Sequence, residues 1–124
     1  LASVRVVGSG HGVPGVLVDG LIGYGLSGEV RAPTRDYIYR VNRRSDPIVS
    51  LDVPSGIDAT TGETLGSAVR PDRTVTLALP KTGLTTISGE LFLADIGIPE
   101  TVYERLVIKY ANPFGERDWV KLER

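Results

Sequence analysis

Val16 to Ile22 reads VLVDGLI, a nearly unbroken apolar run with a carboxylate, Asp19, set inside it. A run of that length and purity is what a strand buried on both faces of a parallel sheet requires. A second run of the same kind, PIVSLDV, spans Pro47 to Val53 and is stopped by Pro54-Ser55-Gly56. Between them Tyr37, Ile38 and Val41 share one helical face, predicting a helix from about Pro33 to Arg44. Pro33 suits the first helical position, and Arg40, Arg43 and Arg44 suit the C-terminal end of its dipole. Strand, helix, strand defines a βαβ unit with a right-handed crossover, and so an α/β domain.

The rest of the chain extends this pattern. SVRVV at Ser3 to Val7, RTVTLAL at Arg73 to Leu79 and ELFLADIGI at Glu90 to Ile98 read as strands. Pro99 to Leu106 suits a short helix, and the tail after Val107 can add one strand before a polar end, Asn112 to Arg124. Ser55 to Asp72 has no helical period and reads as a long functional or mobile loop. Leu, Ile, Val and Phe make up roughly 31% of the chain, against the ~20% typical of disorder. With 14 basic and 15 acidic residues there is no basic excess to hold nucleic acid. No apolar run approaches the ~18 residues of a membrane-spanning helix. The absence of cysteine excludes disulfides and thiolate chemistry, and a single histidine, His11 in the Gly-rich stretch Ser9 to Pro14, argues against a His-rich metal site. His11 reads as an exposed loop residue. A chain that opens at Leu1 and holds no methionine is expected to be part of a longer product, with any targeting signal upstream.

Parallel α/β sheets bind ligands beyond the carboxyl ends of their strands. One βαβ crossover brings Asp19, Asp52 and Ser55 to that edge. A carboxylate in an apolar run must be paired, hydrogen-bonded or bound to a cation. Two carboxylates and a hydroxyl, with no soft ligand, suit a hard ion such as Na⁺, K⁺, Mg²⁺ or Ca²⁺. The alternatives stay open: Asp19 as a loop cap, and Asp52 with Ser55 as a local turn at Pro54. Gly23-Tyr24-Gly25-Leu26-Ser27-Gly28 matches G-x-G-x-x-G after a strand. Pro33 would break a helix begun inside the motif, and no acidic residue ends a strand at the expected distance. The segment reads as a substrate loop rather than a dinucleotide turn.

Five ordered blocks then resemble one family. They are VDGLIGYGLSG from Val18, SLDVPSGIDA from Ser50, TGE from Thr61, LPKTGL from Leu79 and ADIGIP from Ala94. Together they are similar to the NAD(P)H-hydrate epimerase family, the YjeF N-terminal domain, over about Val16 to Tyr103. The resemblance implies a three-layer α/β/α Rossmann-like fold with a mainly parallel sheet. Residues 1–124 would be the C-terminal portion of a single such domain, with the N-terminal half absent. It implies an isomerase that interconverts the R and S forms of hydrated NADH and NADPH (NADHX and NADPHX) in nicotinamide cofactor repair.

By the same resemblance Asp19 and Ser55 would ligate one potassium ion per subunit. Gly23, Tyr24, Gly25, Leu26, Ser27, Gly28, Glu29 and Asp52 would contact the hydrated cofactor. Asp52 is the expected catalytic acid and base. Lys81 is assigned no role, a solvated loop lysine being an equal reading. The family's upstream Asn-Asn-Gly-Gly-Asp-like loop, which adds substrate contacts and a cation ligand, does not precede Asp19 here. The expected partners are therefore the substrate and the missing N-terminal half of the domain, with a homodimer left open and no nucleic acid or membrane. The isolated chain is expected to be nearly inactive and the setting cytoplasmic. A non-catalytic interaction module, of the kind found in messenger-RNA decapping or lipoprotein-related binding, is the alternative.

Overall fold

The computed structural model describes residues 15–123 and the backbone of Arg5–Val6. Among the described residues six strands form one sheet in sequential order: β1 (Arg5–Val6), β2 (Val16–Asp19), β3 (Ile48–Leu51), β4 (Arg73–Leu77), β5 (Glu90–Ala94) and β6 (Trp119–Leu122). β2 to β5 are parallel, and β1 and β6 pair antiparallel at the two edges. Helix α1 (Thr34–Asn42) joins β2 to β3, and α2 (Glu100–Arg105) lies between β5 and β6. This is the expected Rossmann-like α/β sheet. His11 and its Gly-rich stretch lie outside the described residues.

The sequential order decides how the faces are used. Same-handed crossovers that always step in one direction lay their connections on one face of the sheet. That face carries Ile48, Ser50, Thr74, Thr76, Leu91 and Leu93, all buried. α1 drops Ile38 onto it, beside Val30, Ile48 and Val69. Farther along, Val53, Leu84 and Leu91 form a second cluster. The opposite face presents Val18, Val49, Val75, Leu77 and Phe92 half-buried. It stays open at Val16, Leu51 and Trp119, which are 42%, 45% and 58% exposed.

Several elements differ from the sequence reading, each for a local reason. β2 ends at Asp19 rather than Ile22, because Asp19 turns into the protein and bonds side chains there. α1 starts at Thr34, with Pro33 at the cap position. The start lies beyond the glycine loop, so that loop is not a helix-opening turn. The last strand falls inside the stretch read as a polar end. Its sequence WVKL alternates, Val120 and Leu122 turning inward while Trp119 and Lys121 face out.

The 55–72 segment has no helix, but it is tied down. Ile57 bridges Thr64, Asp58 N–H donates to Glu63 O at 2.9 Å, and Leu65 N–H donates to Gly56 O at 2.9 Å, making a small hairpin. Asp58 Oδ1 accepts the N–H groups of Thr60 and Thr61, both at 2.8 Å. Those two donors, Thr61 first, hold the Asp58 carboxyl below the usual range. Gly56 must be glycine: its φ is +94°, and a Cβ there would lie 1.9 Å from Ser67 O. This hairpin takes the place of a crossover helix and delivers Val69 to the core.

Candidate functional site at the carboxyl edge

β2 and β3 are paired with Asp19 opposite Ser50, so the segments that follow both strands leave from one edge. Asp19 is only 3% exposed. Its Oδ2 accepts the Ser50 hydroxyl at 2.7 Å and the Ser55 N–H at 2.9 Å. Its Oδ1 accepts the Ser55 hydroxyl at 2.6 Å and the Leu21 N–H at 3.4 Å. Four neutral donors therefore surround one carboxylate, which is how a buried charge is held without a counter-ion. Ser55 Oγ in turn accepts Ile22 N–H at 2.9 Å and lies 3.2 Å from Ile22 O.

Asp52 sits at the end of β3 in a different setting. Its φ is +64°, and Ala78 after β4 has φ +63°. In each case the flanking residues bond across the turn, Val53 N–H to Leu51 O at 2.9 Å and Leu79 N–H to Leu77 O at 2.7 Å. Two neighbouring strands thus end in three-residue γ-turns with a non-glycine residue in a sparsely populated conformation. Strain of this kind persists where the surroundings over-determine it and clusters at functional sites. The turn points the Asp52 carboxylate toward β4. Oδ1 accepts Leu77 N–H at 3.1 Å, the Thr76 hydroxyl at 3.3 Å and the Lys81 ammonium. Lys81 Nζ also donates to Leu77 O at 2.8 Å. Oδ2 accepts nothing among the described residues. The Lys81 and Asp52 side chains keep 18% and 20% of their surface exposed.

The local-turn reading is excluded, since Ser55 binds Asp19 while Asp52 binds Thr76, Leu77 and Lys81. The two carboxylates share an edge but no partner. The 23–29 loop follows β2 at the same edge. Gly23, Tyr24, Gly25, Ser27, Gly28 and Glu29 are exposed, Tyr24 by 72%. Leu26 tucks against the α1 core and anchors the loop. A cleft of about 650 Å³ lies elsewhere, between Tyr39 and Arg43 of α1, residues 62–71 and residues 86–88, and includes none of Asp19, Asp52 or Lys81.

Sequence reasoning missed Ser50, Thr76 and Lys81. Ser50 was within reach, because period-two alternation in PIVSLDV puts it on the buried face with Ile48. Lys81 was not, because its position depends on the γ-turn at Ala78.

A profile of the family described as YjeF-related protein N-terminus matches residues 4–83, and the chain belongs to that family. It is 48% identical over 101 residues to an NAD(P)H-hydrate epimerase of Dehalogenimonas lykanthroporepellens, covering 80% of this chain and 41% of that protein. It is 46% identical over 101 residues to a bifunctional NAD(P)H-hydrate repair enzyme Nnr of Salinibacter ruber, covering 77% of this chain and 19% of that protein. The chain thus spans less than half the length of these relatives. In fold it resembles the crystal structure of yeast ynu0, YNL200c, with a TM-score of 0.70 at 23% identity, covering 85% of this chain and 45% of that one.

Proposed function

We propose that this chain carries the carboxyl-edge half of an NAD(P)H-hydrate epimerase site, interconverting the R and S forms of hydrated NADH and NADPH. The observation that supports the reading most directly is Asp52. It is a strand-end carboxylate on a strained turn, with Oδ1 filled and Oδ2 open, on the same edge as the 23–29 loop. The chemistry is reversible loss and return of the C6 hydroxyl. The ring nitrogen's electron pair expels the hydroxyl as an acid protonates it, and water adds to the other face. Asp52 stands at the acid–base position, and the 23–29 loop would pack along the cofactor.

The donor set at Asp19 suits a potassium ion. Asp19 Oδ1, Ser55 Oγ and Ile22 O converge as hard oxygen ligands. The Ser55 hydroxyl can turn to Ile22 O and free Asp19 Oδ1. Asp19 and Ser55 would hold the ion, which would supply a fixed positive charge beside the nicotinamide site. Asp19 itself orients the loop through Leu21 and Ser55.

The open sheet face has a place in this reading. Every connection between β2 and β5 lies on the other face, so among residues 15–123 no crossover covers this one. We assign that cover to the N-terminal half of the domain, within the part of the relatives' length that this chain does not span. In this reading the working protein is this chain plus that half, and a cytoplasmic setting is proposed with it.

The test is an R/S equilibration assay of NADHX and NADPHX, followed by chromatography, on the complete protein with K⁺ present. Equilibration within the assay supports the reading. Failure by a folded complete protein replaces it with a non-catalytic interaction module.

A further inference from the structure

Resting on the epimerase reading, we propose that Lys81 is the proton donor to the departing hydroxyl, and that Asp52 and Lys81 work as one proton-carrying pair. The argument starts from how Asp52 is held. Oδ1 receives Leu77 N–H, the Thr76 hydroxyl and the Lys81 ammonium, one of them a full cation. Three donors fill Oδ1 and fix the carboxylate in direction, which leaves Oδ2 as the atom free to take a proton. Oδ2 is therefore placed to receive a proton from water, and the group placed to give the first one has to be sought beside it. Hydroxide is a poor leaving group, so the reaction needs an acid at its first step.

Lys81 is the acid in place. An ammonium has three N–H groups. One goes to Asp52 Oδ1 and one to Leu77 O at 2.8 Å, which leaves the third without a partner among the described residues. The Lys81 side chain is 18% exposed, so the group is shielded yet reachable. Two proton-handling atoms, Lys81 Nζ and Asp52 Oδ2, suit a reaction that handles a proton on two faces of one ring.

The cycle balances. The C6–O bond breaks as Lys81 Nζ gives its proton to the hydroxyl, which leaves as water. The ring nitrogen's pair becomes the second bond of a C6=N1 iminium. Water then forms the new C6–O bond, that π pair returns to nitrogen, and the water's proton goes to Asp52 Oδ2. Transfer within the pair restores the ammonium and the carboxylate.

The experiment separates proton donation from simple ion pairing. Complete wild-type protein, Lys81→Arg and Lys81→Met are compared for R/S equilibration of NADHX, for NADHX binding and for thermal midpoint. Arginine keeps the charge and can pair with Asp52, but it does not release a proton near neutral pH. Both variants are expected to bind NADHX within a few-fold of wild type and to lose roughly 10²-fold or more in rate. As a second measurement, Lys81→Cys is alkylated with 2-bromoethylamine, which rebuilds an ammonium at the same reach, and a tenfold or greater recovery is expected. Lys81→Arg at the wild-type rate, or an alkylated Lys81→Cys with no recovery, overturns the assignment while leaving the epimerase reading in place. A wild type that does not equilibrate the epimers overturns both.

Discussion

Asp19 and Asp52 end neighbouring parallel strands, and the fold treats their charges in opposite ways. Asp19 is buried, and four neutral donors from Ser50, Ser55 and Leu21 fill both its oxygens. Asp52 is part-exposed, has a cation among its donors and fills one oxygen only. A carboxylate closed on both oxygens can organise loops but has no lone pair left for a proton. A carboxylate anchored through one oxygen is fixed in direction and still reactive through the other. The fold thus closes one carboxylate and leaves one oxygen of the other open at the end of the neighbouring strand.

The largest effect should come from opening the closed side. Asp19→Ala leaves the buried Ser50 hydroxyl and the Ser55 and Leu21 N–H groups without an acceptor. Unsatisfied buried donors cost about 1–3 kcal/mol each, so a total loss of about 3–5 kcal/mol is expected in urea unfolding. Asp19→Asn keeps one acceptor oxygen and should lose about 2 kcal/mol. Equal and small losses in both variants would mean that Asp19 is not a structural hub.

The open side should show the reverse pattern. Asp52→Asn keeps an oxygen for Thr76, Leu77 and Lys81 but removes the base, so the R/S equilibration rate should fall about 10²-fold or more. The change in unfolding free energy should stay below that of Asp19→Ala. A variant that unfolds easily yet keeps its rate would invert the comparison.

The pairing of these sites was only partly legible in the sequence. Two apolar runs around an amphipathic helix were enough to bring Asp19, Asp52 and Ser55 to one edge, because a βαβ unit leaves little choice. The 55–72 hairpin was not legible, since its order comes from Asp58 capping Thr60 and Thr61 rather than from any periodicity. Lys81 was not either. Its approach to Asp52 needs the left-handed turn at Ala78, and alanine carries no mark of that conformation. The edge strand β6 was obscured because it is only four residues long and one of its two outward positions is the charged Lys121, which protects an edge while hiding the alternation.

Potassium offers a sharper test of the closed side. If Ser55 turns to Ile22 O and the ion takes Asp19 Oδ1, K⁺ should stabilise the complete protein by about 1.4 kcal/mol at ten times its dissociation constant. Choline should not. Rb⁺ soaked into crystals should give anomalous density beside Asp19 and Ser55. If neither signal is seen at saturating salt, the Asp19 site does not take the ion.

The smallest effect belongs to a third carboxylate, at the opposite edge of the sheet, which serves as a control on both. Glu90, at the start of β5, accepts Lys121 Nζ at 2.6 Å and Arg73 Nε at 2.8 Å. The hydrogen bond from Lys121, then that from Arg73, lowers its pKa from the ordinary glutamate value. Folded Glu90 therefore resists a proton that the unfolded chain accepts. Its stabilising contribution is complete above the unfolded value of about 4.3. The contribution falls as pH drops from there and is gone below the folded value. Because the group is exposed, the slope should be shallow and should flatten further in high salt. Urea midpoints at pH 7, 5, 4 and 3 should show wild type losing slightly more stability than Glu90→Gln, with all of the difference arising below about pH 5. A Glu90→Gln loss as large as that of Asp19→Ala would show that counting partners, rather than burial, sets what a carboxylate contributes in this sheet.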